Sequence, residues 1–144
     1  MIYRCHHFRA HELVGPDLYA RFGEDCFRYL RVELLRGLDG LWEALNAIRP
    51  TTVTVNNWKS GGQFKASGYR VATDTEYKPG SAHSVGAGAD CKFSAFTPTE
   101  AITLLTLTPG NLGFRRYENP KATPSWAHLD CLSFDGTGMQ EVNP

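Results

Sequence analysis

Two histidines and one aspartate in the second half of the chain have the residue types and spacing of a metal-ligand set. His83 and Asp90 stand seven positions apart in one glycine-rich segment, and His128 follows later in the sequence. Two imidazoles and one carboxylate are a complete protein ligand set for a catalytic zinc, which leaves its fourth position open for water. Because no cysteine takes part, the pattern favours an exposed, hydrolytic zinc site.

The elements that must position these ligands are predicted to be strands. The segments 87–93 and 126–132 both have strand character, which places Asp90 and His128 on two extended elements whose faces could meet at one cleft. His83 would approach from the loop before the first of these strands. The glycines between His83 and Asp90 allow the backbone to bend tightly, so that two ligands close in sequence can converge.

The rest of the chain predicts a small α+β domain. Apolar residues recur at spacings of three and four over 24–48, which indicates a helix that ends before Pro50. Thr97, Pro98 and Glu100 together form a capping box with proline at the first helical position, so a second helix begins there. Further strands are predicted at 52–57 and 113–117. The predicted architecture is therefore helices first, followed by an antiparallel sheet that one helix interrupts.

The length of the chain favours one domain, and its net charge gives no reason to expect nucleic acid or a membrane as a partner. The chain has 144 residues, 42% of them hydrophobic, and a formal net charge of zero. This length is about that of one ordinary domain, so we predict a single domain over 1–144. Zero net charge gives no electrostatic case for nucleic acid or an anionic membrane. No run of residues approaches the roughly 18 apolar residues of a membrane span.

The N-terminal residues and the cysteines bear on the compartment in which the protein folds. The first residues lack the continuous apolar region of a secretory signal, which favours synthesis in the cytoplasm without a signal peptide. The four cysteines, Cys5, Cys26, Cys91 and Cys131, form no CxxC pair. We therefore expect free thiols rather than a zinc ribbon or disulfides.

The segment around the first two ligands resembles the M15 family of zinc peptidases, the D-alanyl-D-alanine carboxypeptidase and phage endolysin group. The family pattern is Ser-x-His-x-x-Gly-x-Ala-x-Asp. Ser81, His83, Gly86 and Asp90 match it in register, and Gly88 occupies the alanine position.

Two further segments carry the same resemblance. The Ser-Gly-Tyr-Arg run at 67–70 is similar to the family segment that precedes the histidine. The Trp-Ala-His run at 126–128 is similar to the strand that carries the last ligand, and its continuation to Asp130 looks like the phage branch. The three segments follow the family order and spacing, and they cover residues 67–130.

The resemblance implies a fold of the hedgehog/peptidase type, with zinc held by His83, Asp90 and His128. It implies cleavage of bacterial peptidoglycan stem peptides, at a D-Ala-D-Ala or an L-Ala-D-Glu type of bond. Arg70 would hold a substrate carboxylate, which suits the bidentate guanidinium fork. Ser81 would hydrogen-bond the substrate or a zinc ligand, or would act as a turn hydroxyl. A phage or prophage protein of this kind would reach the cell wall after holin-type release or from a virion.

The chain departs from the family pattern at the general base. Many members carry Glu, Asp or His two or three residues before the last ligand, where this chain has Ser125 and Trp126. Asp130, two residues after His128 on the same strand face, is the preferred substitute, and Glu118 at the start of the preceding loop is the second candidate. Alternatively, Asp130 orients a ligating imidazole.

Two alternatives stay open at the level of the sequence. Trp58 directly follows a predicted strand, and it either lines the cleft and stacks on substrate or caps the core. The missing base also leaves a second function class: a zinc-stabilised, catalytically weak or inactive cell-wall-binding or virion structural protein. The expected partner is a peptidoglycan peptide, and the sequence does not indicate an oligomeric state.

Overall fold

The fold packs a helical N-terminal third against a five-stranded sheet, in a computed structural model that describes residues 1–144. The α-helices are α1 (Pro16–Phe22), α2 (Val32–Ile48) and α3 (Pro98–Leu107). The strands are β1 (Val53–Thr54), β2 (Gly88–Phe93), β3 (Arg116–Glu118), β4 (Ala127–Asp130) and β5 (Gln140–Val142). The predicted α+β class is confirmed, and no helix has the length and apolar character needed to cross a membrane.

The sheet is mixed, so the prediction of a purely antiparallel sheet was wrong at one edge. Its strand order is β1-β2-β4-β3-β5, and every neighbouring pair is antiparallel except β3 and β5. Strand β5 is short and largely exposed, and Gln140 N–H joins it to the sheet by donating to the Arg115 carbonyl at 2.8 Å. No apolar alternation marks this segment in the sequence, which explains why no strand was predicted there.

Helix α2 is the main core element, but it begins later than its periodicity predicted. Residues Gly23–Tyr29 form a 3-10 segment instead, and Leu30 is extended. The Arg31 N–H donates to the Gly86 carbonyl at 2.8 Å, so a tertiary contact separates the two helical segments. The buried face of α2 contains four of the residues predicted from the spacing, Leu34, Leu38, Leu41 and Leu45, whereas Ile48 at the end of the same predicted face is 56% exposed.

Gly37 does not break helix α2 but allows the side chain of Phe114 to approach the helix backbone closely. A Cβ atom at this position would lie 2.9 Å from Cζ of Phe114, a residue that is itself fully buried. The glycine therefore lets the Phe114 ring pack directly on the helix backbone.

The predicted capping box of α3 is confirmed. Thr97 Oγ1 accepts from the Glu100 N–H at 3.1 Å, and the Thr97 N–H donates to Glu100 Oε1 at 3.0 Å. The strands predicted at 52–57 and 113–117 are shorter or shifted, as β1 and β3 show. The four cysteines are free thiols, as expected.

Candidate metal centre

Strands β2 and β4 carry two of the three candidate ligands directly opposite each other. Asp90 on β2 pairs with His128 on β4 in antiparallel register. On β2, Ala89 and Cys91 are fully buried in the core, so the alternation of the strand directs Asp90 to the opposite face. The core therefore holds one face of these strands, and the candidate site lies on the other.

His83 reaches the same face from the turn that precedes β2. Gly86 has a φ of 68° there, and a Cβ atom on it would clash with the Tyr29 carbonyl oxygen. Only glycine avoids both the strain of positive φ and this clash. The tight bend expected between the first two ligands is thus present.

The three predicted ligands form one cluster that could hold a metal ion. One ligand atom from each of His83, Asp90 and His128 lies within 4.8 Å of the others. Asp90 Oδ1 is 2.9 Å from His128 Nδ1 and 3.3 Å from His83 Nε2. Both histidines are 5% exposed, so the cluster is largely shielded from solvent.

The outer nitrogen of each imidazole already has an acceptor. His83 Nδ1 is 2.9 Å from the Gly68 carbonyl oxygen, which can only accept, so Nδ1 carries a proton and Nε2 is the nitrogen that faces the cluster. His128 Nε2 is 3.0 Å from Asp130 Oδ2. Ligating histidines are typically oriented by such contacts to a carbonyl or a carboxylate. The donor set and its surroundings therefore fit a metal ion.

The carboxylates around His128 favour a cation between them. Burial would lower the pKa of His128, but hydrogen bonds to Asp130 and Asp90 outweigh it and raise that pKa to about 9. Burial would raise the pKa of Asp90, but hydrogen bonds from His128 and His83 hold it below its ordinary value. A metal ion would supply the same positive charge at this position.

Asp130, the preferred candidate base, faces away from solvent. It is fully buried and binds Arg116 through two hydrogen bonds of 2.9 Å, from Nε to Oδ1 and from Nη2 to Oδ2. The Leu132 N–H also donates to Asp130 Oδ1, at 3.1 Å. These contacts, together with His128, occupy both carboxylate oxygens. They favour the alternative role for Asp130, which is to orient the imidazole of His128.

Glu118, the second candidate base, lies close to the three candidate ligands. It lines the cavity that contains the histidines, and its Oε1 is 4.0 Å from His128 Nδ1. Burial raises the pKa of Glu118, and the nearby charge of His128 lowers it in part. A half-buried carboxylate with a raised pKa is suited to general acid–base chemistry.

Two cavities meet at Asp90. The histidine cavity, of about 370 Å³, contains His83 and His128 in its wall, and residues 142–144 also line it. The lysine cavity, of about 600 Å³, contains Lys65 and Lys92 in its wall. Three residues line both cavities: Arg70, Asp90 and Trp126.

Arg70 and Ser81, the predicted substrate-binding residues, both lie at the histidine cavity. Arg70 Nη2 is 3.4 Å from Asp90 Oδ2, and Arg70 Nε donates to the Ala66 carbonyl at 2.7 Å. Ser81 Oγ accepts from the Ser84 N–H at 3.2 Å, so its hydroxyl also satisfies the turn. Both side chains are placed where they could contact a molecule bound in this cavity.

Trp58 is not brought to this site. Its Nε1 donates to the Val14 carbonyl at 2.9 Å, and its ring lies near His11 and Tyr19. The two cavities beside the cluster do not include it, so the structure favours the core-capping alternative. Trp126 lines both cavities instead, and its place immediately before β4 is the signal that could have identified it.

Two charged residues of the site were missed in the sequence. Arg116 pairs with Asp130 across β3 and β4, and finding it would have required the strand register. Lys92 follows Asp90 by two positions on β2, and the period of a strand could have placed it on the same face.

Comparisons of this chain with protein-family models, with curated proteins and with solved structures find no match.

Proposed function

We propose that this protein is a zinc-dependent peptidase that hydrolyses stem peptides of bacterial peptidoglycan. The observation that carries the proposal is the convergence of His83 Nε2, Asp90 Oδ1 and His128 Nδ1, with each outer imidazole nitrogen held by an acceptor. The bond would be of the D-Ala-D-Ala or the L-Ala-D-Glu type, as the resemblance to the M15 family implies. The His-x-Asp segment that ends at Asp130 supports a phage or prophage origin.

Zinc is the metal that suits this donor set best. Imidazole nitrogen and carboxylate oxygen both bind Zn²⁺, and three protein ligands with one open position are typical of its hydrolytic sites. A zinc ion held by these residues would polarise the scissile carbonyl and activate a water molecule.

The residues around the cluster have separable roles in the proposed reaction. Glu118 would accept the proton of the attacking water and deliver it to the leaving amine, since its Oε1 lies 4.0 Å from His128 Nδ1 and, unlike Asp130, it is not bound by an arginine. Asp130 and Arg116 would hold His128 in the orientation that presents Nδ1. Arg70 would bind a carboxylate of the substrate through its guanidinium group.

The proposed role of Glu118 is tested by the substitution Glu118→Gln. We expect the rate at which new amino groups are released from purified peptidoglycan to fall by about 100-fold or more, which is the range of general-base contributions. The bound zinc should stay at the wild-type level, because the glutamine amide preserves the shape of the cavity wall without supplying a base. Glu43→Gln, an exposed residue of α2, is the matched control and should keep wild-type activity.

Two results would contradict this account. Full activity of Glu118→Gln would remove Glu118 from the mechanism. A wild-type protein that retains zinc and binds the wall without releasing amino groups would instead support the catalytically inactive wall-binding class.

A further inference from the structure

The lysine cavity adjoins the candidate metal centre but has its own chemistry. It shares Asp90 and Arg70 with the histidine cavity, so a peptide that crosses Asp90 would extend into both. Phe64 and Trp126 give it apolar wall surface, and most of its other wall residues are polar or charged. Such a cavity suits a peptide residue that carries a polar group.

The ammonium group of Lys92 lies in the wall of this cavity, where three contacts fix its position. Its Nζ donates to the Val55 carbonyl at 2.7 Å and to Ser67 Oγ at 2.8 Å. The same Nζ lies 3.9 Å from the centre of the Phe64 ring. These contacts hold the ammonium in one place, so little side-chain freedom would be lost when a ligand binds.

The ammonium of Lys92 has no carboxylate partner within the protein. Arg70 is paired with Asp90 and Arg116 with Asp130, but Lys92 takes part in no ion pair within 4.0 Å. The acidic residues of the cavity wall, Glu76 and Asp90, make no ion pair with Lys92, and burying part of a charge without a direct partner is costly. An anionic group of a ligand would supply such a partner.

The position of Lys92 restricts where on a substrate the anionic group must lie. Ser67 contacts both sites: its carbonyl accepts from the Asp90 N–H at 2.8 Å, and its hydroxyl accepts from Lys92 Nζ. The ammonium is therefore next to the ligand-bearing segment of β2. In a peptide bound at the proposed metal centre, a carboxylate that contacts Lys92 would therefore belong to a residue close to the scissile bond.

We propose that Lys92 and the lysine cavity form a subsite for the free α-carboxylate of the residue whose amine leaves. The proposal rests on the proposed function for the identity of the substrate, a stem peptide. Both types of bond considered above present this group. It is the terminal carboxylate in D-Ala-D-Ala and the free α-carboxylate of γ-linked D-Glu in L-Ala-D-Glu.

The test compares three synthetic peptides by titration calorimetry: L-Ala-γ-D-Glu-L-Lys-D-Ala-D-Ala, its D-Glu α-carboxamide and its C-terminal carboxamide. Zinc-loaded Glu118→Gln protein is used so that the peptides are not consumed. We expect one of the two amidations to weaken binding about tenfold or more, the size of a lost charge-assisted contact. Which amidation does so identifies the source of the carboxylate.

Substitutions at Lys92 then test whether the preference for the free carboxylate over the carboxamide depends on this residue. In the same background, Lys92→Gln should reduce the preference to about threefold or less, whereas Lys92→Arg keeps the charge and should retain it. Lys59→Gln removes an equal charge from an exposed position outside the lysine cavity and should leave the preference unchanged. Zinc content and thermal unfolding of each variant establish that the fold is intact.

Three outcomes would overturn the subsite: equal binding of the three peptides, no binding of any of them, or an unchanged preference in folded Lys92→Gln. These outcomes are distinct from failure of the proposed function. A preference that depends on Lys92, in a protein that releases no amino groups from peptidoglycan, would refute the peptidase while leaving the subsite intact. Wall hydrolysis without any carboxylate preference would support the peptidase and refute the subsite.

Discussion

At the scale of single residues, the orientation of His128 is the central feature of the site. His128 can present Nδ1 to a metal ion only while Nε2–H is engaged, and Asp130 provides that acceptor at 3.0 Å. Asp130 is in turn held by Arg116. In the proposed metal centre, this carboxylate would act indirectly, through the imidazole that it orients.

The substitution Asp130→Asn tests this role. We expect zinc affinity, measured by competition with a chromophoric chelator, to fall about 10- to 100-fold, the usual effect of losing a carboxylate behind a ligating histidine. Asp135→Asn, at an exposed position, is the matched control and should keep the wild-type affinity. Unchanged zinc affinity in folded Asp130→Asn would show that His128 does not depend on this contact.

The metal-free protein should lose stability as the pH rises. The pKa of His128 is raised from 6.5 to about 9 in the folded state, so the folded protein binds this proton more tightly than the unfolded chain does. The resulting stabilisation is fully present below pH 6.5 and disappears as the pH rises through about 9. We expect the free energy of unfolding in urea with a chelator to fall by about 1–3 kcal/mol over this range.

Two comparisons make this pH prediction specific. The zinc-loaded protein should lack the fall, because the metal ion replaces the proton on Nδ1. His128→Gln should also lack it, because the titrating group has been removed. An equal fall in wild type and in His128→Gln would assign the pH dependence to another group.

At the scale of secondary structure, the turn before β2 sets the position of His83. Gly86 has a positive φ of 68°, and a Cβ atom at this position would clash with the Tyr29 carbonyl oxygen. Gly80, in the loop that leads to this turn, also has positive φ, at 74°, but a Cβ atom there would meet nothing within 4 Å. A side chain at Gly86 would therefore meet both a steric clash and backbone strain, whereas a side chain at Gly80 would meet backbone strain alone.

We expect Gly86→Ala to be much more damaging than Gly80→Ala. Gly80→Ala should cost about 1–2 kcal/mol of unfolding free energy, which is the strain of a left-handed residue. Gly86→Ala should cost more than this and should also weaken zinc binding, because the clash displaces the turn that carries His83. Urea unfolding and chelator competition measure the two effects. Equal costs for the two variants, with zinc binding intact, would contradict this account of the turn.

The sequence predicted the elements whose signals are local. The capping box at Thr97 marked the start of α3, and strand character around Asp90 and His128 marked β2 and β4. The start of α2 and the pairing of β5 were not predicted, because both depend on contacts between distant segments, such as Arg31 with Gly86. Local periodicity carries no information about such contacts.

In the candidate site, too, some features could be predicted from local sequence and others depended on contacts between distant segments. His83, Asp90 and His128 were predicted as ligands from residue type and spacing together with the resemblance to the M15 family, and the structure brings them together. The choice between Asp130 and Glu118 depended on which carboxylate is already committed to an arginine. That distinction follows from the register of β3 and β4, which the sequence alone did not supply.

At the scale of the whole molecule, the sheet separates the hydrophobic core from the candidate site. Alternate residues of β2 and β4, including Ala89, Cys91 and Leu129, join the core that α2 fills. The residues between them face the two cavities that meet at Asp90. This arrangement places a polar site on the opposite face of the sheet from the hydrophobic core.

Metal content measured together with wall hydrolysis tests the central claim most directly. Wild type, His83→Ala and His6→Ala are purified without chelators, analysed for elemental zinc and incubated with purified peptidoglycan. His6 is exposed and lies outside the cluster, so its variant is the matched control. We predict one zinc per chain and release of amino groups for wild type and His6→Ala, and the loss of both for His83→Ala. Absence of zinc from the wild type, or one zinc per chain in His83→Ala, would contradict the ligand assignment.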